Sequence, residues 1–327
     1  LIENLEVEST TTIDDGMMRR ILMNVSAEDF FNIYAERNSY EEIPLLTADG
    51  IVIPKVGLKK ALSMEEHLNV VPTIAGSNRD EVKLWLATAK YFVDLDFSVL
   101  GSILKIPKVR LSNEDSFEAF NYYRSSAWKI RGVDVPLKGL HSVGNNDLYA
   151  YRYDWDDHRR YVVADFKELI GAAHATEIPL LAGNAKLVGG YPLSDLIYPA
   201  GKSKFYLSRN MMRFWTNFAK YGEPGKSTNS VSWKPIVDDG KLGNSFILLD
   251  SKQNLKNISD SNTFESLAQE LYLDERVNDL EKCVILLQMF TFVGNDLYDE
   301  NIKNYPGKCD RSLSEKFLVD NASFIEY

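Results

Sequence analysis

The stretch Leu68-Asn-Val-Val-Pro-Thr-Ile-Ala-Gly-Ser-Asn-Arg-Asp-Glu81 decides the fold class. Its first part, Leu68 to Ala75, is an apolar run of strand length that ends at Gly76. A strand that is apolar on both faces is typical of a parallel sheet covered by helices. Its second part, Ser77 to Glu81, places two acids and a cation in the loop after that strand. The stretch therefore predicts a buried strand that delivers polar side chains to one edge of a sheet.

Further strands and helices are predicted on both sides of this stretch. Leu148 to Trp155 is dense in aromatic residues, which favours a strand, and Phe246 to Leu249 predicts a last strand. The predicted helices follow Ser26, with Phe30, Phe31 and Tyr34 on one apolar stripe, and cover most of Val82 to Trp128, the stretch from Leu207 to Phe218 that Gly222 ends, and Val277 to Phe292. Strands separated by long helical stretches predict an α/β fold: a central, mostly parallel sheet flanked by helices.

Composition limits the classes of protein to consider. The chain has 327 residues, of which 45% are hydrophobic, so one large domain with a substantial core is expected. A net charge of −10 argues against nucleic acid as a partner. The longest apolar run, Cys283 to Phe290, is much shorter than the roughly 20 residues that span a bilayer, so no membrane span is predicted. Cys283 and Cys309 are the only cysteines, which allows one disulfide and indicates no zinc site.

The candidates for a catalytic base are the four histidines of the sequence: His67, His141, His158 and His174. His67 and His158 lie in charged stretches and are predicted to be solvated surface residues, whereas His141 is ambiguous. His174 lies among small residues on a loop after a predicted strand, where an open α/β sheet places a catalytic imidazole. His174 is therefore the candidate base.

Two interpretations of Ser77 to Glu81 stay open. In the first, Asn78 or Asp80 caps a helix that begins near Val82, and the helix dipole favours Glu81. In the second, Glu81 holds the tautomer of a catalytic histidine. Along the chain of an α/β-hydrolase, the nucleophilic Ser precedes an Asp or Glu, which precedes the His. Glu81 before His174 obeys this order.

Four motifs together carry a resemblance to a known family. They are Asp49-Gly50 with Ile53-Pro54, Val71 to Glu81, Gly171-Ala-Ala-His174 with Glu177, and Phe214-Trp-Thr-Asn-Phe-Ala-Lys-Tyr-Gly222 followed by Pro224. In this order and at these separations, the chain resembles the type-B carboxylesterase and cholinesterase family of α/β-hydrolases. The resemblance implies that Glu81 is the acid and His174 the base of a triad. It also implies that Leu84 and Trp85 line the gorge and hold the alkyl or acyl part of an ester.

The sequence departs from the family pattern in three places. Val82 and Ala175 stand where the family usually has glycine after the acid and after the histidine. No Gly-x-Ser-x-Gly elbow and no Gly-rich oxyanion loop occur in the sequence, and Ser77, Ser142 and Ser203 lack the small neighbours on both sides that an elbow requires. In the family, nucleophile and oxyanion hole lie upstream of the stretch that resembles this chain.

The resemblance therefore implies a C-terminal portion of an α/β-hydrolase domain. Residues 1–327 are predicted to form a single domain that is truncated at its N-terminus, with the nucleophilic serine upstream of residue 1. The full-length protein is expected to be a serine carboxylesterase, and the 327-residue chain alone is expected to be inactive. The missing N-terminal half is then the partner of this chain. Because its strands would lack sheet neighbours, we expect the isolated chain to fold poorly.

The alternative is a non-catalytic, cholinesterase-like adhesion or binding protein, since a fold does not fix a function. An unrelated α/β binding protein is a third interpretation. The presence of both Glu81 and His174 favours the enzyme. Its substrate would be a small-molecule carboxylic ester, and the chemistry requires no metal and no organic cofactor. The resemblance favours a secreted or periplasmic location; the identity of the ester and the oligomeric state are not determined by the sequence.

Overall fold

A computed structural model describes residues 14–28, 48–96, 108–184, 193–292 and 295–321. Packing divides the chain into two units, Leu1–Gly57 and Leu58–Tyr327. In the first unit, helix α1 covers Asp15–Asn24, and the backbone N–H of Gly50 donates to the Ile53 carbonyl over 2.8 Å. The stripe predicted at Phe30, Phe31 and Tyr34 lies outside the described residues. That residues 1–327 form a single domain stays a prediction.

The second unit contains strands and helices in alternation. Its strands are β1 (Thr73–Asn78), β2 (Val93–Asp96), β3 (Lys108–Leu111), β4 (Leu148–Tyr153), β5 (Val237–Asp238), β6 (Lys241–Leu242), β7 (Ser245–Leu249), β8 (Lys256–Ser259), β9 (Thr291–Phe292) and β10 (Asn295–Asp296). Its α-helices are α2 (Leu58–Ala61), α3 (Lys83–Leu86), α4 (Glu114–Lys129), α5 (Val135–Ser142), α6 (Phe166–Ile170), α7 (Ile178–Leu181), α8 (Leu193–Ile197), α9 (Lys202–Tyr221), α10 (Phe264–Leu273), α11 (Asp279–Phe290), α12 (Tyr298–Asn301) and α13 (Arg311–Asp320). A π-helix, Ile130–Asp134, joins α4 to α5, and short 3₁₀ helices cover Glu65–His67 and Ile302–Asn304.

The main described sheet has the strand order β1-β4-β7-β8. β4 runs parallel to both β1 and β7, whereas β8 is antiparallel to β7. Thr73 lies opposite Leu148 and Asn78 opposite Tyr153, so the C-terminal ends of β1 and β4 meet at the same edge. This mostly parallel sheet with flanking helices confirms the predicted α/β class.

The first strand begins later than predicted. The apolar run was expected to be a strand over Leu68 to Ala75, but β1 starts at Thr73 and continues through Gly76. Proline lacks the N–H that a ladder needs, so Pro72 ends the preceding loop, and Val70 and Val71 are 54% and 55% exposed there. Gly76 does not stop the strand.

Both faces of the sheet are buried. Leu148, Ala150 and Phe246 pack on one face with residues of the π-helix and α5. Tyr149 and Tyr153 lie on the other face with Ile247 and the helix α9 residues. Side chains alternate along a strand, so neighbouring positions of β4 and β7 enter two separate cores. This explains why the strand sequences are apolar without polar alternation.

The two long C-terminal helices lie where they were predicted. α9 ends at Gly222, which adopts φ of 76°, a left-handed value typical of a helix C-cap. Asn278 caps α11 in a capping box with Glu281, and every residue from Glu281 to Phe290 is buried. That burial on all sides explains why the apolar periodicity of α11 is blurred. Cys283 in this helix forms a disulfide with Cys309.

The segment from Val82 to Trp128 is less helical than predicted. Between α3 and α4, the strands β2 and β3 pair antiparallel, with Val93 opposite Leu111. Val93-Asp-Leu-Asp96 alternates apolar and acidic residues with a period of two, which is the pattern of a strand. The neighbouring helical pattern obscured this local signal.

Candidate active site

Glu81 is buried just beyond the C-terminal end of β1, in the turn that leads into α3. It is only 4% exposed. Its Oε1 atom accepts a hydrogen bond of 2.7 Å from the backbone N–H of Asn78, and its Oε2 atom accepts one of 2.8 Å from His174 Nδ1. Both carboxylate oxygens are therefore engaged, which fixes the orientation of the group.

His174 lies on the loop between α6 and α7, after a helix rather than directly after the strand that the sequence predicted, and reaches the same sheet edge. Its backbone N–H donates to the Glu81 carbonyl over 3.2 Å, so the two residues are linked twice. The side chain is 45% exposed. Because Nδ1 donates to Glu81, Nε2 is the ring nitrogen that can accept a proton.

The three serines that lie next to or near a glycine, Ser77, Ser142 and Ser203, do not hydrogen-bond to His174. Ser142 Oγ donates to the Gly139 carbonyl, Ser203 Oγ donates to Asp157, and Ser77 Oγ is buried without a hydrogen-bond partner. Across the five described ranges, no serine, threonine or cysteine side chain hydrogen-bonds to His174 Nε2. This part of the chain thus presents an acid and a base.

Asp80 joins the loop of the acid to the loop of the base. Its backbone N–H donates to the Ala172 carbonyl over 3.1 Å, and its Oδ2 atom accepts from the Ala172 N–H over 2.8 Å. Asn121 on α4 donates to Asp80 Oδ1 over 2.7 Å. Burial alone would raise the pKa of Asp80, but the positive charges of Arg79 and Lys83 hold it below its ordinary value. A buried carboxylate therefore clamps the two loops.

The interpretation of Ser77 to Glu81 as a helix cap does not match the geometry. α3 begins at Lys83 after Val82, and no side chain caps it. The carboxylates of Asp80 and Glu81 point to Ala172 and His174 instead. These polar residues join two distant loops rather than end a helix.

The surroundings of His174 favour its protonated form. The hydrogen bond to Glu81 raises the pKa of His174 above its ordinary value. Burial opposes the rise, and the negative charges of Glu81 and Glu177 add to it. An imidazolium that forms here is therefore stabilised by a carboxylate in contact and by a second one nearby.

Asn78 and Glu177 belong to this cluster, although the sequence predicts only a helix-cap role for Asn78 and no separate role for Glu177. Asn78 is 3% exposed, and its Nδ2 atom donates to the Ala173 carbonyl over 2.7 Å and to Glu177 Oε2 over 2.5 Å. Burial raises the pKa of Glu177, and the charge of Glu81 adds to that effect. Both residues lie inside the quoted motifs, but only the tertiary contacts show what they bind.

Two stacked tryptophans lie against the imidazole. The ring centroids of Trp85 and Trp128 each lie 5.3 Å from that of His174, and the two indoles stack at 6.2 Å. Leu84, which precedes Trp85 in the sequence, is 41% exposed. Trp128 comes from the C-terminal end of α4, and no sequence signal linked it to His174. That Leu84 and Trp85 bind substrate stays a prediction.

The glycine positions of the family pattern differ in their conformation. Ala175 adopts φ of 63°, in the left-handed region that favours glycine. Val82 has φ of −92°, which any residue adopts, and its side chain is buried in the core. The backbone of Ala175 is therefore strained, whereas that of Val82 is not.

The prediction of a surface position was right for His67 and wrong for His158. His67 is exposed. His158 is 7% exposed and contacts the carbonyls of Ile197 and Gly171, while its ring packs against Trp155. Asp157, Arg159 and Arg160 beside it in the sequence are exposed. His141 Nδ1 lies 3.3 Å from the Asn145 carbonyl oxygen.

Among the residues that the structure describes, no group of three His, Cys, Asp or Glu side chains is arranged to hold a metal ion. In the same ranges no helix has both the length and the apolar character needed to span a bilayer.

Part of this chain is similar to a known family of proteins. The model of the carboxylesterase family matches residues 133–266, which include His174. Over this stretch the chain is similar to carboxylesterases. Together with the mostly parallel sheet, this match confirms the predicted α/β-hydrolase type of fold.

Curated carboxylesterases are similar over a longer stretch. Carboxylesterase 1E of Mus musculus is 27% identical over 208 residues, which cover 58% of this chain and 35% of that protein. Carboxylesterase 5A of Ovis aries is 26% identical over 231 residues, which cover 64% of this chain and 57% of that protein. The chain thus spans only part of the length of these carboxylesterases.

Solved structures of esterases overlap with the chain to a similar extent. The carboxylesterase EST55 of Geobacillus stearothermophilus, at pH 6.8, has a TM-score of 0.48 and 14% identity, with 79% of this chain and 50% of that chain covered. A thermophilic PNB esterase has a TM-score of 0.47 and 17% identity, with 80% and 50% covered.

Proposed function

We propose that this chain supplies the acid and the base of a carboxylic ester hydrolase. Glu81 is the acid and His174 the base of a Ser-Glu-His triad, and the serine belongs to an upstream segment of the same α/β-hydrolase domain. The hydrogen bond of 2.8 Å between Glu81 Oε2 and His174 Nδ1 carries the proposal. The similarity to carboxylesterases supports the class of reaction.

The geometry suits nucleophilic catalysis. Glu81 fixes the tautomer in which Nδ1 carries a proton, so the exposed Nε2 can take the proton of a serine hydroxyl as it attacks the ester carbonyl. The resulting imidazolium is stabilised by Glu81 and then gives its proton to the leaving alcohol. An acyl-enzyme remains, and water activated by His174 releases the acid.

The proposal assigns substrate contacts to Leu84 and Trp85. Both residues follow Glu81 in α3, and the Trp85 ring lies against His174. A group bound over His174 would therefore meet an apolar wall, which suits the alkyl or acyl part of an ester. Trp128, which stacks on Trp85 and also lies against His174, extends this wall.

The edge of the sheet indicates where the upstream segment would bind. In the described sheet, β1 pairs with β4 on one side and is the last strand on the other. An edge strand presents unpaired N–H and C=O groups that accept another strand. We propose that strands of the N-terminal half of the domain pair there and bring the serine to His174 Nε2.

Labelling of the serine tests the function. A polypeptide that includes the upstream segment is treated with a fluorophosphonate, which reacts with a triad serine, and hydrolysis of a chromogenic ester is followed in parallel. We expect one labelled serine and saturable hydrolysis. His174→Ala should lower kcat by a factor of about 10³ or more, because the general base is lost.

A matched variant separates the role of His174 from a general loss of structure. His141→Ala removes a histidine whose ring nitrogen contacts only the nearby Asn145 carbonyl among the described residues. It should keep kcat within about twofold of the parent, because the site is not touched. If the labelled polypeptide hydrolyses no ester, or if His174→Ala leaves kcat unchanged, the esterase proposal is wrong and a binding protein of the same fold takes its place.

A further inference from the structure

One buried amide connects the loop of the acid to the loop of the base. Asn78 is the last residue of β1, and its backbone N–H donates to Glu81 Oε1. Its side-chain Nδ2 donates to the Ala173 carbonyl and to Glu177 Oε2, which lie just before and just after His174 in the chain. Asn78 therefore bonds to the acid and to both sides of the base.

We propose that Asn78 is a positioning residue of the Glu81–His174 pair: its backbone orients the carboxylate, and its amide holds the loop of His174 against that carboxylate through Ala173 and Glu177. This inference rests on the proposed function, because it concerns the same pair. It adds a residue that touches neither the substrate nor the imidazole and acts through the loop.

Ala175, next to His174, has a strained backbone, and the Asn78 amide holds the loop that contains it. Ala175 is held at φ of 63°, a left-handed conformation that is unfavourable for an alanine. Such a conformation persists only where the surrounding structure enforces it. The bonds from Asn78 to residues 173 and 177 enclose the strained residue, so they oppose relaxation of the loop that would move His174 away from Glu81.

Glu177 contributes charge as well as an anchor. The groups that face His174 electrostatically are Glu81 and Glu177, and the charge of Glu177 also acts on Tyr151, Tyr153 and Tyr198. The Asn78 amide holds the Glu177 carboxyl at this place, and two N–H donors of one residue thereby position two carboxyls around one imidazole. Glu177→Gln would keep an acceptor for the Asn78 amide and would remove the negative charge at residue 177.

The experiment reads His174 directly and does not require hydrolysis of an ester. The polypeptide that includes the upstream segment is labelled with ¹⁵N-histidine, and pH titration follows its imidazoles, with His174→Gln to assign the signal of His174. The Nδ1 proton of His174, which is bonded to Glu81, reports the contact. In Asn78→Ala we expect the His174 pKa to fall and this proton signal to be lost, because the loop relaxes and the contact with Glu81 opens.

A matched control distinguishes positioning from lost stability. Asn210 is also fully buried, and its side chain donates to the Tyr206 carbonyl and accepts from the Thr228 N–H, away from the pair. Asn210→Ala should leave the His174 titration and the Nδ1 proton signal as in the parent. If Asn78→Ala also leaves both unchanged, or if Asn210→Ala changes them equally, Asn78 does not position the pair.

Two further variants keep the proposal testable if Asn78→Ala does not fold. Glu177→Gln keeps an acceptor for the amide and should retain the Nδ1 proton signal with a lowered His174 pKa, whereas Glu177→Ala should weaken the signal. Equal signals in the two variants would overturn the anchoring role. If the parent chain itself shows neither a raised His174 pKa nor an Nδ1 proton bonded to Glu81, the proposed function fails, and that result is distinct from a failure of Asn78 alone.

Discussion

Gly76 on β1 lies directly against the ring of Tyr151 on β4, and a Cβ atom at Gly76 would be 2.2 Å from Tyr151 Cδ1. Tyr151 in turn packs edge-on against Trp215 of α9. The ring is therefore held from the far side. The absence of a side chain at residue 76 lets an aromatic ring fill the space over the strand that leads to Glu81.

Gly76→Ala should destabilise the fold by about 3 kcal/mol, because the methyl group overlaps a ring that cannot move aside. The measurement is the urea midpoint at low protein concentration. Gly132→Ala is the matched control, because its nearest atom would be Trp128 Cδ1 at 3.8 Å, an ordinary contact. A shift in Gly76→Ala no larger than in the control would contradict the overlap.

Ala175→Gly should stabilise the fold by about 0.5–1 kcal/mol, because glycine adopts φ of 63° without the clash that alanine has there. The gain is smaller than the strain, since glycine loses more backbone entropy on folding. Ala182→Gly, at φ of −75°, should have the opposite sign. Thermal unfolding of the two variants beside the parent measures the difference, and a lower midpoint for Ala175→Gly would show that residue 175 is not strained.

Glu81→Gln should lower the pKa of His174, because the hydrogen bond to Glu81 is the main cause of its rise. Since the folded-state pKa is raised above 6.5, protonated His174 stabilises the fold below that pH, and this contribution is lost as the pH rises through the folded value. Glu81→Gln should therefore lose stability, relative to the parent, most at acidic pH. Urea midpoints across the pH range measure this, and a uniform loss would argue against the linkage.

Reduction of the Cys283–Cys309 disulfide should destabilise the fold by about 3.5 kcal/mol, because it closes a loop over a sequence separation of 26 residues. The urea midpoint with and without dithiothreitol gives the value. The double variant Cys283→Ala/Cys309→Ala should match the reduced parent and should not respond to dithiothreitol. Equal midpoints for the oxidised and reduced parent would show that the bond constrains nothing.

The isolated chain should associate at micromolar concentration, because β1 is an edge strand of the sheet that the described residues form, and an edge strand accepts another strand. Sedimentation as a function of concentration measures this. Addition of a polypeptide that carries the upstream half should suppress it by pairing with the edge. A fully soluble monomer with a cooperative unfolding transition would contradict the expectation.

The local sequence pattern was sufficient to place the elements for which residue spacing, composition and stop signals agree. The helix α9 could be placed from Leu207, Met211 and the stop at Gly222, and β4 from its aromatic run. The predicted bounds of β1 lie too early in the chain. The apolar pattern does not show that Pro72 excludes residues 68–72 from the strand, or that Gly76 continues the strand and accommodates a ring. The hairpin of β2 and β3 was missed because four-residue strands carry little signal beside long helices.

The sequence by itself determined the class of fold and the pair of residues to examine, because apolar runs, stop signals and the order of Glu81 before His174 are one-dimensional facts. The tertiary structure alone decided that His158 is buried, that Trp128 lies against His174, and that Asn78 bonds to Ala173 and Glu177. These contacts join residues up to 99 positions apart in the chain. They depend on the register of β1 against β4, which brings two loops to one sheet edge, and no local pattern encodes that distance.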